Sequence, residues 1–301
     1  MKLTVIMLLL HVIRSSVHAF RLPVLTGPVF RSVLKQVARS LPVRGLSTVA
    51  LNVENLDLNI AVPHVTDAES VPVVSKRAKR GKIRQHVNPL SRGHTMPLQL
   101  DPNWMDTAFE KIGPGEFIVD IGCAKGVWAR EMCKVNPDIN VVGLEIRIPI
   151  VEFCIARKEE EGVRNVHFLK SNANVDLNNI FQSLGAKKID VNTVTIQFPD
   201  PHFKAKHKKR RVVNAELVRT IAHNLKPGMR VFVQTDIEEL GYDMVSYFAA
   251  SEFFTAAEGY NNEALHSNSA IYEVQTEREI CTLREDKPVY RMLFYRNTLS
   301  N

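Results

Sequence analysis

Asp200 sits between two prolines in Phe198-Pro199-Asp200-Pro201, directly after an apolar, β-branched run at 191–198. Six Lys or Arg then follow within residues 204–211. The apolar run has the makeup of a buried strand, and the prolines end it in a turn. A carboxylate held at a strand end can accept hydrogen bonds from a ligand or balance a cation, and a cationic segment beside it can take phosphates. In an open α/β sheet, ligands bind at the C-terminal ends of the strands, which gives this charge run a place at the mouth of a site. Taken alone, it is equally a solvated face or a localisation signal. Phosphate contacts are expected from Lys206, Lys208, Lys209, Arg210 and Arg211.

A second group of residues bears on the cofactor. Asp120 lies at the tip of the apolar segment 117–121, one residue before its end, and Gly122-Cys123-Ala124-Lys125-Gly126 follows. A dinucleotide fingerprint needs G-x-G-x-x-G, so that a helix N-terminus can approach a pyrophosphate. Here Val127 stands where the last glycine should be, and Asp120 would repel the pyrophosphate. NAD is therefore disfavoured. Glu145, about 20 residues beyond the loop, is placed to accept from ribose hydroxyls. Two carboxylates suit S-adenosylmethionine, which carries an ammonium, a sulfonium and a ribose but no phosphate. The plainer reading of the loop is a helix-packing turn.

These residues need a scaffold that brings strand ends together. Segments 117–121, 141–145, 166–169, 191–198 and 231–233 read as buried strands. Trp128, Met132 and Val135 mark the inner face of a helix stopped by Asn136-Pro137, and Leu217, Ile221 and Leu225 mark another stopped before Pro227-Gly228. Such alternation predicts an α/β fold, Rossmann-like, with a mostly parallel sheet and helices on both faces.

At 301 residues and 45% hydrophobic content the chain can bury one sizeable core plus extensions. The formal charge of +7 is concentrated at the N-terminus: residues 1–53 hold seven Lys or Arg and no acid, whereas from residue 61 onward 32 basic residues face 30 acidic ones. Any nucleic-acid surface must then arise from local clustering. Cys123, Cys133, Cys154 and Cys281 show neither metal-ligand spacing nor a disulfide framework. His202 and His207 read as surface or hydrogen-bonding histidines, and no metal is expected. No stretch approaches the roughly 20 apolar residues of a membrane span, so no membrane anchorage is expected of the mature form.

The expected organisation is a signal peptide at 1–19, a transit-peptide-like segment at 20–52, a linker and basic arm at 53–83, and a catalytic domain at 84–301. Lys2, the apolar run 3–10 and Val17-His18-Ala19 fit a cleavable signal. The acid-free segment behind it carries Arg31, Lys35 and Arg39 four residues apart. This arrangement, with Phe20 after the cleavage site, resembles the bipartite presequences of algae whose plastids derive from a red alga. A plastid address is expected, with the mitochondrion as the alternative.

The chain resembles the tRNA (guanine-N7-)-methyltransferases. The motifs carrying the resemblance occur in order: Asp120-Ile121-Gly122-Cys123-Ala124-Lys125-Gly126, Gly143-Leu144-Glu145, Phe198-Pro199-Asp200-Pro201 with Lys204, His207 and Lys209-Arg210-Arg211, Thr235-Asp236, and Thr276-Glu277-Arg278-Glu279. The resemblance covers roughly residues 84–296, and residues 83–90 look like the leading segment of plant-type members. It implies cofactor contacts from Asp120, Gly122, Gly126, Glu145, Asn172 and Asp200. For the guanosine side it implies Lys204, Asp236, Thr276, Glu277, Arg278 and Glu279, with Asp200 as the active-site residue. It implies tRNA as partner, guanosine 46 in the variable loop as target, and no obligatory partner protein. Four positions depart from the pattern: Ala124 for glycine, Asn172 for Asp, His202 for Trp and Arg278 for an aromatic. The alternatives are an exocyclic-amine methyltransferase, which Asp200-Pro201-His202-Phe203 partly mimics, and a noncatalytic RNA-binding subunit. Carboxylates of ordinary pKa predict a rate flat between about pH 6 and 8.

Overall fold

The computed structural model describes residues 87–109 and 112–298. The expected presequence, linker and basic arm at 1–83 lie outside the described residues. Two short helices, α1 (Arg92–Thr95) and α2 (Trp104–Ala108), come first. β1 (Phe117–Ile121), α3 (Val127–Val135), β2 (Asn140–Glu145), α4 (Ile148–Glu160), β3 (Val166–Lys170) and α5 (Ala173–Ala186) then alternate, followed by β4 (Thr193–Gln197). A 3-10 helix at Ala205–Arg210 carries most of the cationic run. After it come α6 (Ala215–Asn224), β5 (Arg230–Thr235), α7 (Glu238–Ala249), β6 (Phe254–Ala256), α8 (Glu277–Arg284) and β7 (Tyr290–Arg296).

The sheet order is β3-β2-β1-β4-β5-β7-β6. The first five strands run parallel, while β7 pairs antiparallel with β5 and β6. Chain order reverses between β1 and β4, so the crevice outside their C-terminal ends is where a doubly wound sheet binds its ligand. The fold class expected from the apolar alternation is the one observed; the antiparallel edge had no separate signal in the sequence.

Strand residues point alternately to opposite faces, and the core divides accordingly. Val119, Ile121, Val142, Leu144, Val194 and Ile196 pack with α5, α6 and α7 through residues such as Leu177, Leu217 and Met244. Ile118, Val141, Val166 and Phe168 pack with α3 and α4 through Trp128, Met132, Ile150 and Cys154. Leu217, Ile221 and Leu225 are buried as their spacing predicts. Val135 is not: it is 57% exposed, and Ala129 and Cys133 complete the inner face of α3 instead. Val135 is the last residue of its helix, where the chain leaves the sheet towards the Asn136-Pro137 turn.

The loop after β1 is pressed against the second core cluster. A side chain at Gly126 would begin 2.3 Å from the Phe168 ring, and the backbone there is left-handed, with φ 62°. Gly143 on β2 is equally tight, since a Cβ there would meet Cys123 Sγ and Phe168 at 2.7 Å. Only glycine tolerates both demands at Gly126, so these glycines fix how closely the loop lies on the strands.

Candidate active site

A cavity of about 670 Å³ opens at the C-terminal ends of β1, β2, β4 and β5. Its volume lies within the range of small-molecule sites. Asp120, Gly122, Glu145, Asn172, Asp200, Asp236, Thr276, Glu277 and Arg278 all line it, although 158 residues separate the first from the last. Gly126, Lys204 and Glu279, expected to be ligand contacts, are not on its wall. Gly126 packs on Phe168, Lys204 is exposed at the start of the 3-10 helix, and Glu279 is 2% exposed beneath the site.

Asp120 is held by sheet register. It pairs in register with Thr195 on β4, whose Oγ1 donates to its Oδ1 at 2.7 Å, and Gln197 Nε2 donates to the same oxygen at 3.4 Å. Burial pushes its pKa up to about 6, against the lowering effect of those two hydrogen bonds. The strand neighbours extend the network. Gln197, Gln234 on β5 and Arg291 on β7 are successive register partners. Gln234 Nε2 donates to Gln197 Oε1 at 2.8 Å, and Arg291 Nη2 donates to Glu279 Oε1 at 2.7 Å. Gln234 Nε2 also reaches Glu279 Oε2 at 3.4 Å. Glu279 thereby supports Asp120 from below, through glutamines that no motif marked. Polar side chains inside otherwise apolar strands were the available signal, because buried polar groups need partners.

Glu145 ends β2 and is 4% exposed. Arg147 covers both of its oxygens: the backbone N and Nε donate to Oε1 at 2.9 Å each, and Nη2 donates to Oε2 at 2.8 Å. The Glu145 hydrogen bonds raise the Arg147 pKa, with burial opposing them. A ribose diol on Glu145 would have to share it with, or displace, this guanidinium.

Asn172 caps α5 and ties down the N-terminal segment. Its Oδ1 accepts from Asn174 N at 3.3 Å, while Nδ2 donates to Pro89 O at 3.1 Å and His94 O at 2.9 Å. Aspartate could not donate to two carbonyls, which gives the departure to Asn a structural reason. The amide expected to read a ligand is thus committed to Pro89 and His94. Val87 and Pro89 close that side of the cavity.

The turn carrying Asp200 is bracketed by left-handed residues, Phe198 with φ 49° and His202 with φ 45°. Such strain in non-glycine residues gathers at functional sites. Asp200 Oδ1 accepts from His202 N at 3.2 Å, and Arg211 locks the loop by donating from Nε to Pro201 O at 2.9 Å. Arg211 is 6% exposed and pairs with Asp243 at 2.8 Å and Glu239 at 3.0 Å. Lys208 also pairs with Asp243, at 2.8 Å. The expectation that Arg211 faces a phosphate is therefore corrected, because it is buried behind the loop; Lys208 leans on the same acid but stays exposed. A helical turn must turn part of so dense a run inward. Lys204, Lys206 and Lys209 remain exposed.

Across the cavity, Thr276 and Glu279 form a capping box that starts α8, and Arg278 donates to Asp236 Oδ2 from Nε at 2.8 Å and from Nη2. With Glu145 and Asp236 already paired to arginines, Asp120 stands without a cationic partner among the described residues. A cationic ligand group would supply one. Ser171 Oγ and Arg210 Nε, on residues lining the cavity, are buried without hydrogen-bond partners among the described residues, so the wall also calls for polar ligand atoms. Cys123 lines the cavity as a neutral thiol, since a hydrogen bond with Cys154 and burial raise its pKa well above the ordinary value. Among the described residues no helix is long and apolar enough to cross a membrane.

A family described as "Putative methyltransferase" matches residues 115–292. The tRNA (guanine-N(7)-)-methyltransferase of Thermosynechococcus vestitus is 40% identical over 223 residues, covering 74% of this chain and 99% of that protein. The corresponding proteins of Microcystis aeruginosa and a Synechocystis strain are 40% and 38% identical, over 71% and 72% of this chain and 97% and 98% of theirs. Among solved structures, the aminoglycoside resistance methyltransferase NpmB1 aligns with a TM-score of 0.43 at 17% identity, over 66% of this chain and 95% of that one.

Proposed function

Because the chain belongs to the tRNA (guanine-N7-)-methyltransferase family, we infer that it methylates N7 of a guanosine in tRNA with S-adenosylmethionine as methyl donor. The observation that carries this reading is the convergence of Asp120, Glu145, Asp200 and Asp236 on one cavity at the switch point of the sheet, with exposed cations on the 3-10 helix beside it. When bound, the cofactor supplies an electrophilic methyl group on a sulfonium. Asp120 would hold its cationic amino-acid end and Glu145 its ribose, the latter exchanging Arg147 for hydroxyls.

Guanine N7 is an acceptor lone pair without a proton, so the residues need not provide a general base. Their task is alignment and charge. The Asp200 carboxylate, kept in place by the His202 amide and by the Arg211 clamp on Pro201, would accept from the N1–H and N2–H edge of the guanine. Its negative charge stabilises the positive charge that moves onto the purine. Closing the base against the buried carboxylates also excludes water.

The finer readings are part of the same proposal. The target position is guanosine 46, as the resemblance implies, and the single chain acts without a partner subunit. A plastid address is supported by the acid-free N-terminus with its seven basic residues, and by the cyanobacterial origin of the relatives above. These residues lie outside the described part of the chain. Nucleoside mass spectrometry of unmodified tRNA incubated with purified protein and cofactor tests the reaction: 7-methylguanosine is expected. An N2-methylated product would favour amine methylation, and no product would favour a binding subunit.

A further inference from the structure

The turn after β4 tucks one ring inward and leaves the next in water. The left-handed backbone at His202 brings its side chain to 10% exposure, 3.8 Å from Asp200 Oδ2. Phe203, the following residue, is 73% exposed, more than any other large apolar side chain among the described residues. A phenyl ring left in water forgoes the stabilisation that burial would bring. Exposed Phe153 is at least covered by the Arg157 guanidinium, 5.9 Å from its centroid. Among the described residues neither a ring nor a cation lies over Phe203.

Its surroundings say what would cover it. Phe203 lines the mouth of the cavity that holds Asp200, together with Arg210. Lys204, Lys206 and Lys209 are exposed beside it, and none of them forms an ion pair among the described residues. Aromatic faces interleaved with cations are the combination that holds unstacked nucleic-acid bases, the cations taking phosphates and the ring taking the base. The proposed chemistry creates such a base. The deep, narrow major groove of A-form RNA hides N7, so the target guanosine must leave its stack, and the base next to it loses a stacking partner.

We propose that Phe203 is the stacking platform for an unstacked tRNA base at the cavity mouth, a positioning residue that sets RNA affinity rather than cofactor affinity. The proposal rests on the reading of the chain as a tRNA methyltransferase. It is tested by filter binding of tRNA to the full chain and to F203A, F203L and F203W, with KM and kcat for tRNA and calorimetric binding of S-adenosylhomocysteine alongside. Phe203→Ala is expected to weaken tRNA binding and raise KM about ten-fold, leaving kcat and S-adenosylhomocysteine affinity in place. Phe203→Trp should restore both; Phe203→Leu, apolar but without a π face, should not. Unchanged tRNA affinity in F203A, equal rescue by Leu and Trp, or a parallel loss of S-adenosylhomocysteine affinity would each overturn it. A wild type that makes no 7-methylguanosine but binds tRNA through Phe203 would refute the reaction and keep the platform. A wild type that makes 7-methylguanosine with binding indifferent to Phe203 would do the reverse.

Discussion

Asp120 is buried without a cation among the described residues, and that burial makes it a pH-dependent element of the site. Its pKa of about 6 lies above the ordinary value of 3.8 because burial penalises the charged form. The folded chain therefore holds a proton there that the unfolded chain has released. Its contribution to stability is greatest below about pH 4, falls as pH rises towards 6, and stays lost above that, at a cost on the order of 3 kcal/mol. A ligand ammonium needs the ionised form, so affinity for S-adenosylmethionine is expected to drop about ten-fold between pH 7 and pH 5. Calorimetry on Asp120→Asn should show weaker binding without that pH dependence; a wild-type affinity constant over this range would remove Asp120 from the ammonium. The flat rate expected between pH 6 and 8 from ordinary carboxylates accordingly bends at its acidic end. Asp200 carries a different prediction, because its charge is proposed to favour the cationic product. Asp200→Asn preserves shape but loses charge and an acceptor, and single-turnover methylation should slow by about 10²- to 10³-fold. A near wild-type rate would exclude it from the chemistry.

The 3-10 helix at Ala205–Arg210 and the turn before it divide one run of cations between two tasks. Arg211 fastens the Asp200 turn to α7 through Pro201 O and Asp243, whereas Lys204, Lys206 and Lys209 face solvent. Changing those three lysines to Gln should flatten the salt dependence of tRNA affinity by roughly 0.7 to 0.9 per lost phosphate contact, without altering thermal stability. Arg211→Met should do the opposite: it leaves the Pro201 carbonyl without its donor and Asp243 with Lys208 alone, at about 1–3 kcal/mol, and lowers the unfolding midpoint. Equal effects from the two variants would contradict this division. The loop at 122–126 makes a second test of an element. Gly126→Ala places a Cβ 2.3 Å from Phe168 on left-handed backbone, and denaturant unfolding should show a loss of about 2–4 kcal/mol. A midpoint equal to wild type would mean that the loop yields more readily than its packing implies.

At the scale of the whole chain, the proposed import rests on the acid-free N-terminus, and the proposed RNA contact on local clustering in a near-neutral body. Residues 1–60 fused to a fluorescent protein should reach the plastid, and Phe20→Ala should hold the fusion earlier in the secretory route; mitochondrial fluorescence would refute that address. The strand–helix alternation, the loop that rejects a pyrophosphate and the Phe198-Pro199-Asp200-Pro201 turn were legible in the sequence, because each depends on local spacing: apolar period, glycine placement, proline-fixed backbone. Which strand ends meet was not, since β1 and β4 become neighbours only through the crossover that sets the switch point. The same holds for Gln197, Gln234 and Arg291, ordinary polar residues until sheet register aligns them between Asp120 and Glu279. Arg211 and Lys209 are indistinguishable as neighbouring cations in sequence; a turn of helix buries one against Asp243 and leaves the other in solvent. Asn172 likewise matches a ligand position in the motif, yet packing of the 87–96 segment claims its amide. Local covalent and steric preferences determined the elements and the carboxylates they end on. Burial and partner choice, which depend on residues far away in the chain, decided what each of those side chains is free to do.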